Sequence, residues 1–130
     1  PENRYITKSV IGMTAPAYCT GIGKALLSAC KPEIVDKLLQ TKLSPFTPQT
    51  ITDPAKLKKE LIKIRERGYS IDDREHSNNV KCVAIPIFDR NGNLYGAISA
   101  SGPSSNFSQD VIEKYVEIIQ YTARQIQPHL

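Results

Sequence analysis

The segment 81–101, KCVAIPIFDRNGNLYGAISAS, decides the fold class of this chain. Residues 81–88 and 94–101 are largely apolar and are bounded by turn-forming residues, so each of them predicts a strand. Between them, Asn91-Gly92 is the dipeptide most typical of a two-residue hairpin turn. Two strands joined by a tight turn run antiparallel, which argues against a doubly wound parallel sheet.

Four helices are predicted around this hairpin from their start and stop residues. Thr20 is placed to cap a helix over residues 21–29, and Pro32 opens a second helix that ends near residue 40. A third helix over residues 54–67 begins after Asp53 and ends at Gly68, and Ser108 precedes the last helix over residues 109–127. The predicted packing faces, in chain order, are Ala25, Leu26 and Ala29; Ile34, Val35, Leu38 and Leu39; Leu57, Leu61 and Ile64; and Val111, Tyr115, Ile118, Ile119, Thr122 and Ile126.

The remaining segments complete the predicted architecture. Residues 4–13 and 69–73 are strand-like, while residues 43–52 hold two prolines and predict a loop. Gly102-Pro103 is expected to end the second arm of the hairpin. A hairpin among helices predicts an α+β domain, and 130 residues suffice for one such domain.

Charge and composition exclude several classes of protein. The net charge is +4, but residues 53–68 alone hold six basic and three acidic residues, with no aromatic side chain to stack on bases before Tyr69. We interpret this helix as a solvated face on which Glu60 reaches Lys63, rather than as a nucleic-acid surface. No apolar run approaches the ~18–20 residues of a membrane span. Three cysteines without a CxxC pair argue against a disulfide framework or a zinc module, and for a reducing compartment.

Two groups of residues suggest a binding site for an anion. Gly21-Ile22-Gly23 opens a helix, where free backbone N–H groups and the helix dipole favour a carboxylate. The alternative is that the glycines only permit close helix packing. Ser99 and Ser101 lie two apart on a predicted strand, so both hydroxyls face the same side. That side could equally be a solvated surface.

Three other residues are candidates for chemistry. Asp72 ends a predicted strand, where it could accept hydrogen bonds from ligand hydroxyls or cap a turn. Cys82 could act as a nucleophile with His76 as its base, although a buried, unreactive cysteine is the simpler interpretation. A zinc site built from Cys19, Asp72, His76 and Cys82 matches no recognised ligand spacing.

Five stretches, in this order along the chain, carry a family resemblance: 19–27 (CTGIGKALL), 43–54 (LSPFTPQTITDP), 65–72 (RERGYSID), 80–87 (VKCVAIPI) and 97–103 (AISASGP). With them the chain resembles the C-terminal effector-binding domain of the IclR family of bacterial transcription regulators. The resemblance implies a GAF-like (profilin-like) fold, a mainly antiparallel sheet flanked by helices. Residues 1–130 would then be an effector-binding domain that lacks its first strands.

The resemblance also implies the positions of a ligand site. In this sequence they are Gly21, Ile22, Gly23, Asp72, Cys82, Ser99 and Ser101, with Val80, Met13 and Ala15 as an apolar wall. The expected ligand is a small organic acid, either a sugar acid or a keto acid. It would modulate DNA binding by an N-terminal winged helix-turn-helix that is not in this chain.

The resulting expectation is a cytoplasmic, non-enzymatic sensor domain of a repressor. It would associate into a dimer or a tetramer and would need neither a cofactor nor a metal. Two alternatives stay open at this point. One is a small enzyme that uses Cys82 with His76, and the other is a module that only oligomerises.

Overall fold

Three antiparallel strands in sequence order form the sheet of the computed structural model, which describes residues 11–130. The strands are β1 (Ser70–Asp73), β2 (Val80–Phe88) and β3 (Leu94–Pro103). The helices are α1 (Gly21–Ala29), α2 (Pro32–Leu39), α3 (Pro54–Arg67) and α4 (Gln109–Ile126). Short 3-10 turns cover Ala17–Cys19, Ser104–Asn106 and Gln127–His129. The prediction of an α+β domain with an antiparallel sheet is confirmed.

The helix ends follow the predicted capping residues. The Thr20 hydroxyl accepts a hydrogen bond from the Gly23 amide at 3.1 Å, which caps α1. Asp53 Oδ1 accepts from the Ala55 amide at 3.0 Å at the start of α3. Gly68 ends α3 with a φ of +86°, a conformation that glycine adopts without steric cost. Because these signals are local in sequence, all three helix ends were predictable.

The hairpin loop is one residue longer than predicted. The Asp89 amide pairs with the Asn93 carbonyl at 2.8 Å, and the Gly92 amide donates to the Asp89 carbonyl at 3.0 Å. The loop is therefore residues 90–92, and Gly92 takes the left-handed position with a φ of +83°. The Asp89 carboxylate accepts from the amides of Asn91 and Asn93, which holds this longer turn.

Two other strand predictions also differ from the structure. Strand β3 continues through Gly102 and Pro103, which pair with Lys81 and Val80, so the predicted break at Gly102-Pro103 is wrong. A proline is tolerated there because β3 is an edge strand of the described sheet. The strand predicted over residues 4–13 lies mostly outside the described residues. Its last three positions form a turn and irregular chain, not a strand.

The sheet lies between two different helical layers. Odd-numbered residues of β2, such as Val83 and Ile85, face α4 and form one apolar cluster with Phe107. Even-numbered residues face α1, since Gly21 lies against Cys82 and Ala84. A second apolar cluster joins α1 to α3 and contains Tyr18, Cys19, Leu27, Leu43, Leu57, Leu61 and Ile64. The order of layers is α4, sheet, α1, α3.

The predicted packing faces of α1 and α2 are wrong in part, and that of α4 is largely wrong. On α4 the buried residues are Ile112, Val116 and Ile119, with Ala123 partly buried, while Tyr115, Ile118 and Thr122 are exposed. On α1, Leu27 rather than Leu26 is buried. On α2 Ile34 is exposed, and only Val35, Leu38 and Leu39 pack against the core. The face of α3 is as predicted. No helix within residues 11–130 is both long and apolar enough to cross a bilayer.

Ile112→Ala is expected to lower the free energy of unfolding by about 2–5 kcal/mol, because Ile112 is 5% exposed and its loss leaves a cavity against the sheet. The matched variant Ile118→Ala, on the same helix but 47% exposed, is expected to cost under ~1 kcal/mol. Urea denaturation at low protein concentration compares the two. A larger loss for Ile118→Ala would contradict the observed face of α4.

Candidate functional site

Two rows of paired residues across the sheet hold the predicted polar side chains. In the first row Asp72 pairs with Cys82, and Cys82 pairs with Ser101. In the second row Ser70, Ala84 and Ser99 are paired in the same way. Directly opposite residues share one face of a sheet with Cβ atoms ~4.5–5.5 Å apart. Asp72, Cys82, Ser99 and Ser101 are therefore on one face, and the prediction that the two serines share a face is confirmed.

The beginning of α1 covers part of this face. The Ser70 hydroxyl donates a hydrogen bond to the Gly21 carbonyl at 2.6 Å, which ties the helix to β1. A Cβ atom on Gly21 would lie 2.7 Å from Cys82 Sγ, and one on Gly23 would overlap the backbone of Ala17. Both glycines are thus required by close packing, the structural alternative raised from the sequence.

The same helix end also holds two amides that lie outside the helical hydrogen-bond pattern. Thr20 accepts the Gly23 amide through its hydroxyl and the Lys24 amide through its carbonyl. The amides of Gly21 and Ile22 precede the first intrahelical bond, so they are the donors at this terminus. Close packing of the glycines and an anion site at the N-terminus are therefore compatible.

Exposure increases across the face from Asp72 to the serines. The Asp72 and Cys82 side chains are buried, whereas Ser99 and Ser101 are exposed. Val80 shares the face one row beyond Cys82 and is half-buried. Met13 is 56% exposed and Ala15 is also exposed, and neither belongs to an apolar cluster. The described part of the chain thus forms a face with a buried polar end and an open end.

Asp72 is electrostatically unusual. Burial raises the pKa of its carboxyl group to about 7, opposed by a hydrogen bond from the Glu75 amide and reinforced by the charge of Glu75. That amide donates to Asp72 Oδ1 at 2.8 Å. Asp72 therefore caps the turn after β1, as one of the two interpretations expected, and its contact with a ligand hydroxyl stays a prediction.

Lys24 is the residue that the sequence prediction missed. It is 1% exposed, and its ammonium group contacts the Ile71 carbonyl and Glu75 Oε2, each at 2.7 Å, and Glu60 Oε1 at 3.8 Å. One signal was available, since Lys24 lies beside Ala25 and one turn before Ser28 on the inward side of α1. A lysine on an inward face needs buried partners, but nothing in the sequence says which ones.

The structure does not favour a cysteine nucleophile. Burial raises the pKa of the Cys82 thiol to about 11 and that of Cys19 to about 12, the reverse of an activated thiol. The His76 ring packs edge-on against Phe46, with ring centres 5.0 Å apart. Within residues 11–130 no cluster of three potential metal ligands occurs.

The charges of α3 pair differently from the prediction. Glu60 contacts Arg67 at 3.4 Å and Lys24 at 3.8 Å rather than Lys63. Lys58 contacts Asp36 of α2 at 3.7 Å, with both side chains more than half exposed. Glu60 thus faces inward toward α1, while most basic residues of α3 face solvent.

Comparison with known proteins decides the family. The family model of the bacterial transcriptional regulator IclR C-terminal domain matches residues 1–128. The chain belongs to the IclR family. Among curated relatives, it is 40% identical over 117 residues to the HTH-type transcriptional repressor AllR of Escherichia coli K12, covering 89% of this chain and 43% of AllR. It is 38% identical to the transcriptional repressor IclR of the same organism, with the same coverage. The chain thus spans less than half the length of these relatives.

Solved structures agree with this assignment. The Thermotoga maritima IclR structure is 37% identical with a TM-score of 0.91, over 99% of this chain and 53% of that protein. The C-terminal domain of Escherichia coli KdgR is 34% identical with a TM-score of 0.80, over 86% and 69% of the two chains. A double mutant of the inducer-binding domain of Acinetobacter PobR, in complex with 3-hydroxybenzoic acid, is 26% identical with a TM-score of 0.82, over 88% of this chain and 69% of that one. This IclR-family chain therefore has the fold of the family's effector-binding domains, and its curated relatives are transcriptional repressors rather than enzymes.

Asp72→Asn is expected to stabilise the protein above pH ~7. Burial raises the pKa of this carboxyl group from its ordinary value of 3.8 to about 7 in the folded state. Between these two pH values the native state therefore holds a proton that the unfolded chain has lost. Wild-type stability therefore falls as the pH rises through this window, whereas Asn stays neutral and keeps the acceptor for the Glu75 amide. The variant should gain about 2–4 kcal/mol at pH 8 and little at pH 4.

Urea denaturation as a function of pH measures this difference in the free energy of unfolding. The control is Asp36→Asn, which removes the same charge from a side chain that is 55% exposed. A difference between wild type and Asp72→Asn that stays constant from pH 4 to pH 8 would contradict the raised pKa.

Gly21→Ala is expected to cost about 1–3 kcal/mol of stability, because the new Cβ lies 2.7 Å from Cys82 Sγ. Cys82→Ala removes that sulfur atom, so the double variant should lose less than the sum of the two single variants. Gly96→Ala is the control, since no atom lies within 4 Å of its added Cβ. Strict additivity in the double-mutant cycle would show that Gly21 does not pack on Cys82.

Proposed function

We propose that this domain binds a small organic acid carrying hydroxyl or keto groups. The observation that carries the proposal is that Asp72, Ser99 and Ser101 share one face of the sheet. This face lies beside the start of α1, where the amides of Gly21 and Ile22 precede the first intrahelical hydrogen bond. The proposed contacts include the remaining family positions, Gly23, Cys82, Val80, Met13 and Ala15. The site needs no metal and no cofactor, because backbone amides and hydroxyl groups suffice to bind a carboxylate.

Each part of the face has a chemical role in this proposal. The N-terminus of α1 attracts the ligand carboxylate through free N–H groups and the positive end of the helix dipole. The Ser99 and Ser101 hydroxyls donate to oxygen atoms of the acid. Asp72 accepts hydrogen bonds from ligand hydroxyls, which a simple alkyl acid lacks. This combination favours a sugar acid or a short keto acid.

A relative supports the chemical class of the ligand. The PobR inducer-binding domain, which shares the fold, is described in complex with 3-hydroxybenzoic acid. That molecule combines a carboxylate with a hydroxyl group, the two features that the helix end and Asp72 would recognise. The likeness concerns the class of ligand and not its carbon skeleton.

We further propose that the ligand acts on a longer regulator. The relatives extend well beyond the matched region, and DNA binding would reside in an N-terminal winged helix-turn-helix, in the cytoplasm where operator DNA lies. A ligand alters DNA binding only by favouring one arrangement of a dimer or tetramer over another, by as much as its affinities for the two differ.

Titration calorimetry with lactate, glycerate, gluconate, pyruvate and 3-hydroxybenzoate tests the site. For whichever acid binds, Asp72→Ala and Ser99→Ala are each expected to weaken the affinity about 5- to 30-fold, the cost of losing one or two net hydrogen bonds. The control is Thr122→Ala, which removes an exposed hydroxyl from α4 on the far side of the sheet. Unchanged affinity in both site variants would refute the assignment. No measurable binding of any of these acids would favour the alternative of a module that only oligomerises.

A further inference from the structure

A buried ammonium group joins the two halves of the proposed site. Lys24 lies one turn after Gly21 on α1, and its side chain is 1% exposed. It donates to the Ile71 carbonyl, directly before Asp72, and to Glu75 Oε2 in the loop after β1, each at 2.7 Å. The helix end that would bind the carboxylate is therefore held to the strand that carries Asp72.

Glu75 extends this connection to the Asp72 side chain itself. Its amide donates to Asp72 Oδ1 at 2.8 Å, and its Oε2 accepts from the Asp73 amide at 3.2 Å. Its carbonyl accepts from the Thr50 hydroxyl at 2.5 Å, which fixes the loop from the other side. Glu75 Oε1 is buried and has no hydrogen-bond partner among the described residues. The geometry of Asp72 thus depends on the Lys24–Glu75 ion pair.

The charges around Asp72 are unbalanced. Lys24 faces the carboxylates of Glu75 and Glu60, at 2.7 and 3.8 Å, and Arg67 contacts Glu60 at the edge of the cluster. Asp72 has no ion-pair contact of its own within residues 11–130. The charged groups that shift the pKa of Asp72 are Lys24 on α1 and Glu75 and Asp73 along the chain. The Cys19 and Cys82 thiols also lie near it, and the charge of Asp72 raises the pKa of each. Lys24 favours the carboxylate form and Glu75 opposes it.

We propose that Lys24 is a positioning residue of the effector site: it holds the start of α1 against Asp72 and, together with Glu75, sets the charge that Asp72 presents to a ligand hydroxyl. This inference rests on the proposed function. Either oxygen of a carboxylate can accept a strong hydrogen bond from a hydroxyl group, whereas a protonated carboxylic acid is a weaker acceptor. The affinity for a hydroxy acid, relative to that for the same acid without its hydroxyl group, therefore rises as Asp72 loses its proton, and Lys24 and Glu75 move that transition in opposite directions.

Lactate and propionate are the matched probes, since they differ by one hydroxyl group. The affinities of the wild-type protein for lactate and for propionate are measured by calorimetry from pH 5.5 to pH 8.5. The ratio of the lactate affinity to the propionate affinity should rise through the titration of Asp72, since the repulsion between two negative charges is common to both acids. Lys24→Met is expected to move the midpoint of this ratio up by about one pH unit or more, and Glu75→Gln to move it down. A purely structural role would weaken binding without moving the midpoint.

A second readout needs no ligand. The carbon-13 shift of the Asp72 carboxyl group, followed by NMR against pH, should show the same opposite displacements in the free protein. The control is Lys58→Met, which removes a lysine charge at an exposed pair and should leave the midpoint unchanged. Lys24→Arg keeps the charge and should stay close to the wild-type midpoint.

The outcomes separate the two proposals. If lactate does not bind at any pH, the proposed ligand class fails for this acid, and the NMR titration alone decides the charge-setting role. If Lys24→Met fails to fold, the variant Lys24→Met/Glu75→Gln removes both charges, and its midpoint should lie above that of Glu75→Gln. Midpoints that stay in place, or that move in the same direction in Lys24→Met and Glu75→Gln, overturn the inference.

Discussion

The register between β2 and its two neighbours is the constraint on which the rest of this structure depends. It pairs Asp72 with Cys82 and Cys82 with Ser101. Because side chains alternate along a strand, a slip of β2 by one residue would turn Val83 and Ile85 to the α1 side and would remove Cys82 from the face that carries Asp72 and the two serines. The apolar cluster under α4 prevents this slip, since it can be buried in only one register. The core on one face thus specifies the polar face on the other.

A buried ion pair gives the polar face its particular chemistry. Removing the Lys24 and Glu75 charges from water is costly, and their contact repays that cost only because the ammonium also reaches the Ile71 carbonyl. Such a pair adds little to stability but fixes a geometry, in this case the angle between the start of α1 and the end of β1. Burial raises the pKa of the nearby Asp72 carboxyl group to about 7, and the two charges of the pair act on it in opposite directions, Glu75 raising it and Lys24 lowering it.

The parts of the fold that the sequence predicted share one property, which is that their causes are local. The cap of α3 by Asp53, its end at Gly68 and the stripe of Leu57, Leu61 and Ile64 all involve residues within a few turns of one another. The pairing of Ser99 and Ser101 on one face follows from the period of a strand. The predictions of buried faces were wrong where a helix has more than one apolar side, because only tertiary packing determines which side is buried. Helix α4 has apolar residues on more than one side, and only contact with the sheet selects Ile112 and Val116 over Tyr115 and Ile118.

By itself, the sequence determined the α+β class, the antiparallel hairpin and the ends of the helices, because each of these follows from short-range periodicity, capping or turn-forming residues. Only the tertiary structure decided which face of α4 is buried, how long the hairpin loop is, and that Lys24 lies inside the protein. The partners of Lys24 stand 47 and 51 residues away along the chain. An ion pair between residues so far apart in sequence forms only when the helix packs on the sheet, so no local sequence pattern predicts it.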